Sequence, residues 1–98
     1  PKRIFSMMES ASYSSVADSL YKLGEAEKGQ ELASRNLNYI DEQLSYFHSI
    51  AQTKPNGEYR NSQIGLYLLN EYEKIAAASA DPTLLKKVEA IKSKYSKG

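Results

Sequence analysis

The chain contains no cysteine and no tryptophan, and it holds one histidine and two phenylalanines among 98 residues. Without cysteine, disulfides and thiolate metal sites are excluded, and the redox compartment leaves no trace in the composition. A single histidine cannot supply the several imidazoles of a typical catalytic metal centre. No stretch approaches the roughly 18 consecutive apolar residues that a bilayer-spanning helix takes. No signal peptide is visible either, because Pro1, Lys2 and Arg3 lead only into the short alternation Ile4-Phe5-Ser6-Met7. The five glycines, at 24, 29, 57, 65 and 98, form no phosphate-cradling loop, so Walker and dinucleotide fingerprints are both missing. Thirteen basic against twelve acidic side chains give a net charge of +1, too little to attract nucleic acid or anionic lipid at a distance. Basic residues interleave with aromatics only around Tyr95, which removes the second signature of nucleic-acid binding.

What remains is an ordinary folding composition, 41% apolar and 26% charged, and so not that of a disordered chain. At this length residues 1–98 read as a single helical domain with one core, burying about two-thirds of the unfolded surface and leaving no room for a deep cleft between domains. The chain starts at proline without an initiator methionine, so a piece of a longer protein is expected. Charge is unevenly placed. Residues 82–98 carry Lys86, Lys87, Lys92, Lys94 and Lys97 against Glu89, a balance of five minus one, or +4; residues 1–81 carry eight basic and eleven acidic groups, or −3. A solvated helix face with lysines near its C-terminus is the preferred explanation, and a surface resting on lipid headgroups is the alternative.

The hydrophobic pattern predicts four helices and no strand, over about 5–23, 25–52, 59–79 and 82–95. In the first, Met8, Ala11, Val16, Leu20 and Leu23 recur mostly at helical spacing, although serines at 10, 12, 14 and 15 weaken the propensity. Gly24 suits a left-handed cap. The second helix has the cleanest stripe, Ala33, Leu37, Ile40, Leu44, Phe47 and Ala51, with Leu32, Tyr39, Tyr46 and Ile50 beside it. So wide a face calls for neighbours on both sides. Pro55 and Asn56-Gly57 mark a loop over Thr53–Glu58. The third helix should bury Ile64, Leu68, Tyr72, Ile75 and Ser79, flanked by Gly65, Leu69 and Ala76. Asp81 followed by Pro82 is a strong helix start, after which Leu84 or Leu85, Val88, Ile91 and Tyr95 face inward. The expected fold is all-α: two antiparallel hairpins of the tetratricopeptide-like kind, whose helices must stack to bury their apolar faces.

Little here carries chemistry. His48 adjoins the core stripe with Asp41 seven residues earlier, and a partly buried, hydrogen-bonded histidine is the preferred reading over a serine triad, which needs a geometry that composition cannot provide. Glu71 and Glu73, two apart, diverge around a helix, as do Asp41 and Glu42, so all four read as solvated charge. No cofactor or metal is called for, and the segment is expected not to be an enzyme. The eight tyrosines are the distinctive feature. Tyrosine combines an apolar body with a polar tip, so it suits both a small core and the rim of a partner-binding groove. The candidate partner edge comprises Tyr39, Tyr46, Tyr59 and Tyr67.

Three segments in order, 20–33 (LYKLGEAEKGQELA), 39–50 (YIDEQLSYFHSI) and 64–75 (IGLYLLNEYEKI), resemble the C-terminal segment of a bacterial multispan membrane protein family of unknown function, itself similar to protein O-mannosyltransferases of the glycosyltransferase C type. The likeness covers roughly residues 10–92 and rests on diffuse helical-hairpin motifs. The chain departs from a regular tetratricopeptide: Gly29 stands where a small alanine is usual, the second helix is too long, and no proline ends it near position 41. The resemblance implies a non-catalytic accessory domain on the periplasmic side of the inner membrane, tied to it through upstream spans and holding a protein or peptide. No catalytic position of the family maps onto these residues. A free-standing cytoplasmic adaptor with the same hairpins is the alternative.

Overall fold

The computed structural model describes the backbone over residues 7–51 and 57–95, and side chains over 9–46 and 63–95. Four α-helices follow in order: α1 Met7–Lys22, α2 Ala26–Ala51, α3 Gly57–Ala78 and α4 Pro82–Tyr95. The described residues contain no strand. The boundaries match expectation to within two or three residues, although Gly57 and Glu58, expected in a loop, already belong to α3. The rest of that loop, with Pro55, and the start expected at Phe5 lie outside the described residues.

Both short corners use the same hydrogen-bonding device. After α1, the Gly24 amide donates to the Tyr21 carbonyl at 3.1 Å and the Glu25 amide to the Leu20 carbonyl at 2.8 Å, with Gly24 at φ +84°. After α3, the Ala80 amide donates to the Ala77 carbonyl at 3.2 Å and the Asp81 amide to the Ala76 carbonyl at 3.0 Å, with Ala80 at φ 53°. These paired bonds satisfy the carbonyls a helix end leaves over, and they require one left-handed residue. At the second corner that residue is alanine. Asp81 then caps α4 as its composition predicts, accepting from the Leu84 amide at 3.0 Å.

Contacts fix the directions of the helices. Gly29 lies against Tyr21 and Asn36 reaches Ser10, so α1 and α2 run antiparallel. Gln30 meets Asp81 while Asp41 meets Lys94 and Tyr95, so α2 and the α4 hairpin arm advance together in parallel. Helix α2 packs against α1, α3 and α4, and α3 packs against α1, α2 and α4, whereas among the described residues α1 and α4 do not meet. The wide apolar face of α2 has the two-sided surroundings that its pattern called for.

The core is assembled mainly by three helices. Leu37, Ile40 and Leu44 of α2 meet Leu68, Leu69, Tyr72 and Ala76 of α3 and Leu84, Val88 and Ile91 of α4, all buried. The first helix differs from its expected face. Val16 and Leu23 are 49% and 77% exposed, and the buried line is Ser10, Ser14 and Ala17, with Tyr21 half-buried one turn on. The apolar residues of α1 do not share one arc, so its rotation is set by small side chains that admit close approach and by two polar contacts. The Asn36 side-chain amide donates to the Ser10 carbonyl at 2.9 Å, and the Tyr21 hydroxyl donates to Asp81.

Candidate interaction surface

The candidate tyrosines come apart into separate places. Tyr39 and Tyr46 are seven residues apart and so share one flank of α2, the first half-buried and the second 56% exposed. That flank turns towards the α1 side, where Gly29 and Asn36 make their contacts, and away from Asp41, which faces α4. Tyr67 is 60% exposed on α3. It lies roughly 140° around that helix from Tyr72, whose hydroxyl meets Asn36 of α2, so it projects away from α2 and is not gathered with Tyr39 and Tyr46. The Tyr59 side chain lies outside the described ones, as does that of His48.

On the opposite flank of α2 a polar groove of about 350 Å³ runs along α4, lined by Asn38, Asp41, Glu42, Ser45, Lys94 and Tyr95. Asp41 organises it. Its carboxylate accepts from Lys94 at 2.7 Å and from the Tyr95 hydroxyl at 2.8 Å, and that hydroxyl also lies 3.1 Å from the Asp41 carbonyl. Burial first, then the hydrogen bond and the charge of Asp41, push the Tyr95 hydroxyl up to about 12, against an opposing pull from Ser45. Asp41, expected to be solvated charge, therefore ties α2 to α4.

The lysine-rich end of the chain is drawn into the fold in the same way. Lys92 pairs with Glu73 of α3 at 2.9 Å, and Lys94 with Asp41. Two of its lysines thus pair with carboxylates of neighbouring helices, a role that neither the solvated-face nor the lipid-surface explanation includes. Glu71 and Glu73 diverge as expected, the former pairing with Lys74 at 3.4 Å. Among the described residues no group of three or more histidine, cysteine or acidic side chains could hold a metal ion, and no helix is long and apolar enough to cross a membrane.

Two polar clusters escaped the sequence reading. One is Asp81, which accepts from Tyr21 at 2.7 Å and from Gln30 at 3.0 and 2.9 Å besides capping α4. Burial works to raise its pKa, but hydrogen bonds from Tyr21, the Leu84 amide, Gln30 and the Thr83 amide outweigh it, and the carboxyl ends below its ordinary value. The other is buried: Ser10 of α1, Asn36 of α2 and Tyr72 of α3, with the Asn36 amide donating to both the Ser10 carbonyl and the Tyr72 hydroxyl. Burial pushes the Tyr72 hydroxyl up to about 12, although the Asn36 amide favours its ionised form. The signal for this cluster was present: Asn36 falls on the apolar arc of α2, beside Ala33 and Leu37.

No protein-family model, curated protein or solved structure matches this chain.

Proposed function

We propose that this chain is a non-catalytic interaction module, a tetratricopeptide-like pair of stacked helical hairpins that holds a protein or peptide partner. One observation carries the reading. Each helix touches the next, α1 touches α3 and α2 touches α4, yet α1 and α4 stay apart. A closed four-helix bundle brings its first and last helices together; an open stack of hairpins leaves them separate and builds an extended binding surface. The parallel advance of α2 and α4 agrees with stacking, since equivalent helices of successive hairpins run the same way. Tyr46 and Tyr67, aromatic and more than half exposed, are the side chains placed for a partner to cover.

The resemblance to the bacterial multispan family supports the further reading that this module is an accessory domain of a membrane-bound glycosyltransferase-like protein, with the chemistry elsewhere. The coding sequence upstream of Pro1 tests that part: a series of hydrophobic spans supports it, and their absence turns the reading to a free-standing adaptor. For the interaction itself, a photo-crosslinking side chain is placed at 46 or 67 of the full-length protein in its native membrane. Crosslinks to one recurrent polypeptide from either position support the proposal. Crosslinks to no polypeptide from either position sink it.

A further inference from the structure

We propose that α1 is a releasable strap, which peels from α2 and α3 at its N-terminal end while the other three helices stay folded. The inference does not depend on the interaction reading above. It starts from what α1 puts into the interior: over its described side chains the buried positions are Ser10, Ser14 and Ala17, with no large aliphatic group among them. The hydrophobic effect scales with apolar area removed from water, so this line contributes far less than the leucine and isoleucine rows of its neighbours. Val16 and Tyr13, the larger side chains midway along α1, are 49% and 43% exposed.

Two buried polar atoms work against docking as well. The Ser10 hydroxyl and the Asn36 carbonyl oxygen are buried without a hydrogen-bond partner among the described residues, and each such group penalises the docked state. Ser14 turns back on its own helix, donating to the Ala11 carbonyl at 2.7 Å, so it does not fasten α1 to anything else. One bond that crosses, from the Asn36 amide to the Ser10 carbonyl, is replaced by water on opening. Four serines between 10 and 15 further lower the helix's own propensity.

The C-terminal end of α1 is held differently. Tyr21 is latched to Asp81, and the Gly24 corner ties the chain to α2. Release therefore runs from the N-terminal end towards the Tyr21 latch. It uncovers the Asn36 amide and the Tyr72 hydroxyl beside Ala33, in space that α1 otherwise fills. To the core α1 adds only Ala17, with Ala11 and Tyr21 packed against it, so the leucine and isoleucine rows of α2, α3 and α4 keep one another covered when it departs.

Native-state hydrogen exchange tests the strap. Backbone amides over 12–19 should exchange at least about tenfold faster, relative to their unfolded rates, than those of Leu37–Leu44 and Leu68–Tyr72, through an opening less sensitive to urea than global unfolding. Ser10→Ala removes the unpartnered hydroxyl and should raise protection in α1 several-fold (about 3–10), with a smaller change in the α2–α3 amides. Equal protection in α1 and the α2–α3 core with one shared urea dependence overturns the proposal. So does a Ser10→Ala chain in which α1 protection is unchanged or lower, because the hydroxyl is then not a cost to docking.

Discussion

The Tyr21 hydroxyl donates to the Asp81 carboxylate at 2.7 Å across 60 residues of chain, joining the corner after α1 to the corner after α3. Gln30 adds a third element to the same carboxylate. One side chain thus caps α4 and aligns the two corners, which is how two local hairpins acquire a fixed relation.

Removing the hydroxyl tests that joint. Tyr21→Phe should cost about 1–2 kcal/mol, as expected for a hydrogen bond to a charged group at a partly exposed site. Asp81→Ala should cost more, because the cap and the Gln30 contacts go with it. Urea midpoints measure both, and the double variant should lose less than the sum of the two, since the sites share a bond.

Acid should weaken the fold through the same carboxylate. The folded pKa of Asp81 lies below its ordinary value, so its contribution is complete above that value and is lost as pH falls through the folded one. Stability followed below about pH 5 should therefore decline, and Tyr21→Phe should flatten the decline. An unchanged slope in that variant would count against the joint.

At the alkaline end the sign reverses. Tyr72 and Tyr95 are held at about 12 in the folded chain, above the ordinary tyrosine value of 10.0, so the unfolded state loses these protons first. Stability should fall between about pH 10 and about pH 12, and less steeply in Tyr72→Phe or Tyr95→Phe. Tyrosinate absorbance followed alongside circular dichroism separates ionisation before unfolding from ionisation caused by it.

The left-handed corner residue Ala80 stores strain that Gly24 avoids at the equivalent place. Ala80→Gly should stabilise the chain by about 0.5–1 kcal/mol, and Gly24→Ala should destabilise it by a similar amount. A loss of stability in Ala80→Gly, read from thermal or urea unfolding, would contradict the assignment.

Gly29 offers a test in which the sign itself changes. A Cβ there would lie 3.0–3.2 Å from the Tyr21 ring, which the Asp81 bond holds in place. Alanine is the better helix former by about 1 kcal/mol, but crowding a pinned ring costs about 1–3 kcal/mol. Gly29→Ala should therefore destabilise the wild-type chain and stabilise a Tyr21→Ala chain, a reversal that a double-mutant cycle detects.

Much of the architecture was readable beforehand because it depends on neighbours in the chain. The 33–37–40–44 stripe, the glycine corner and the Asp81-Pro82 start each express a local preference, and all three stand in the structure. The candidate tyrosines were legible as residues but not as a surface, since whether Tyr67 joins Tyr46 depends on how two helices are rotated about their axes. Asp41 likewise looked solvated because Lys94 and Tyr95, its partners, are more than 50 residues away in the chain.

Periodicity and corner chemistry alone determined that this chain is all-helical, where its helices lie within a few residues, and which rows of α2 and α4 are buried; on α3 the expected Ile64, Ile75 and Ser79 are half-buried, and the flanking Gly65, Leu69 and Ala76 are buried with Leu68 and Tyr72. Tertiary structure decided the rotation of α1, the meeting of Ser10, Asn36 and Tyr72, and the convergence of Tyr21 and Gln30 on Asp81. The physical reason is that apolar repeats specify a face only when one arc holds them. On α1 they are spread around the helix, so close approach of small side chains and long-range hydrogen bonds settled which side turned inward.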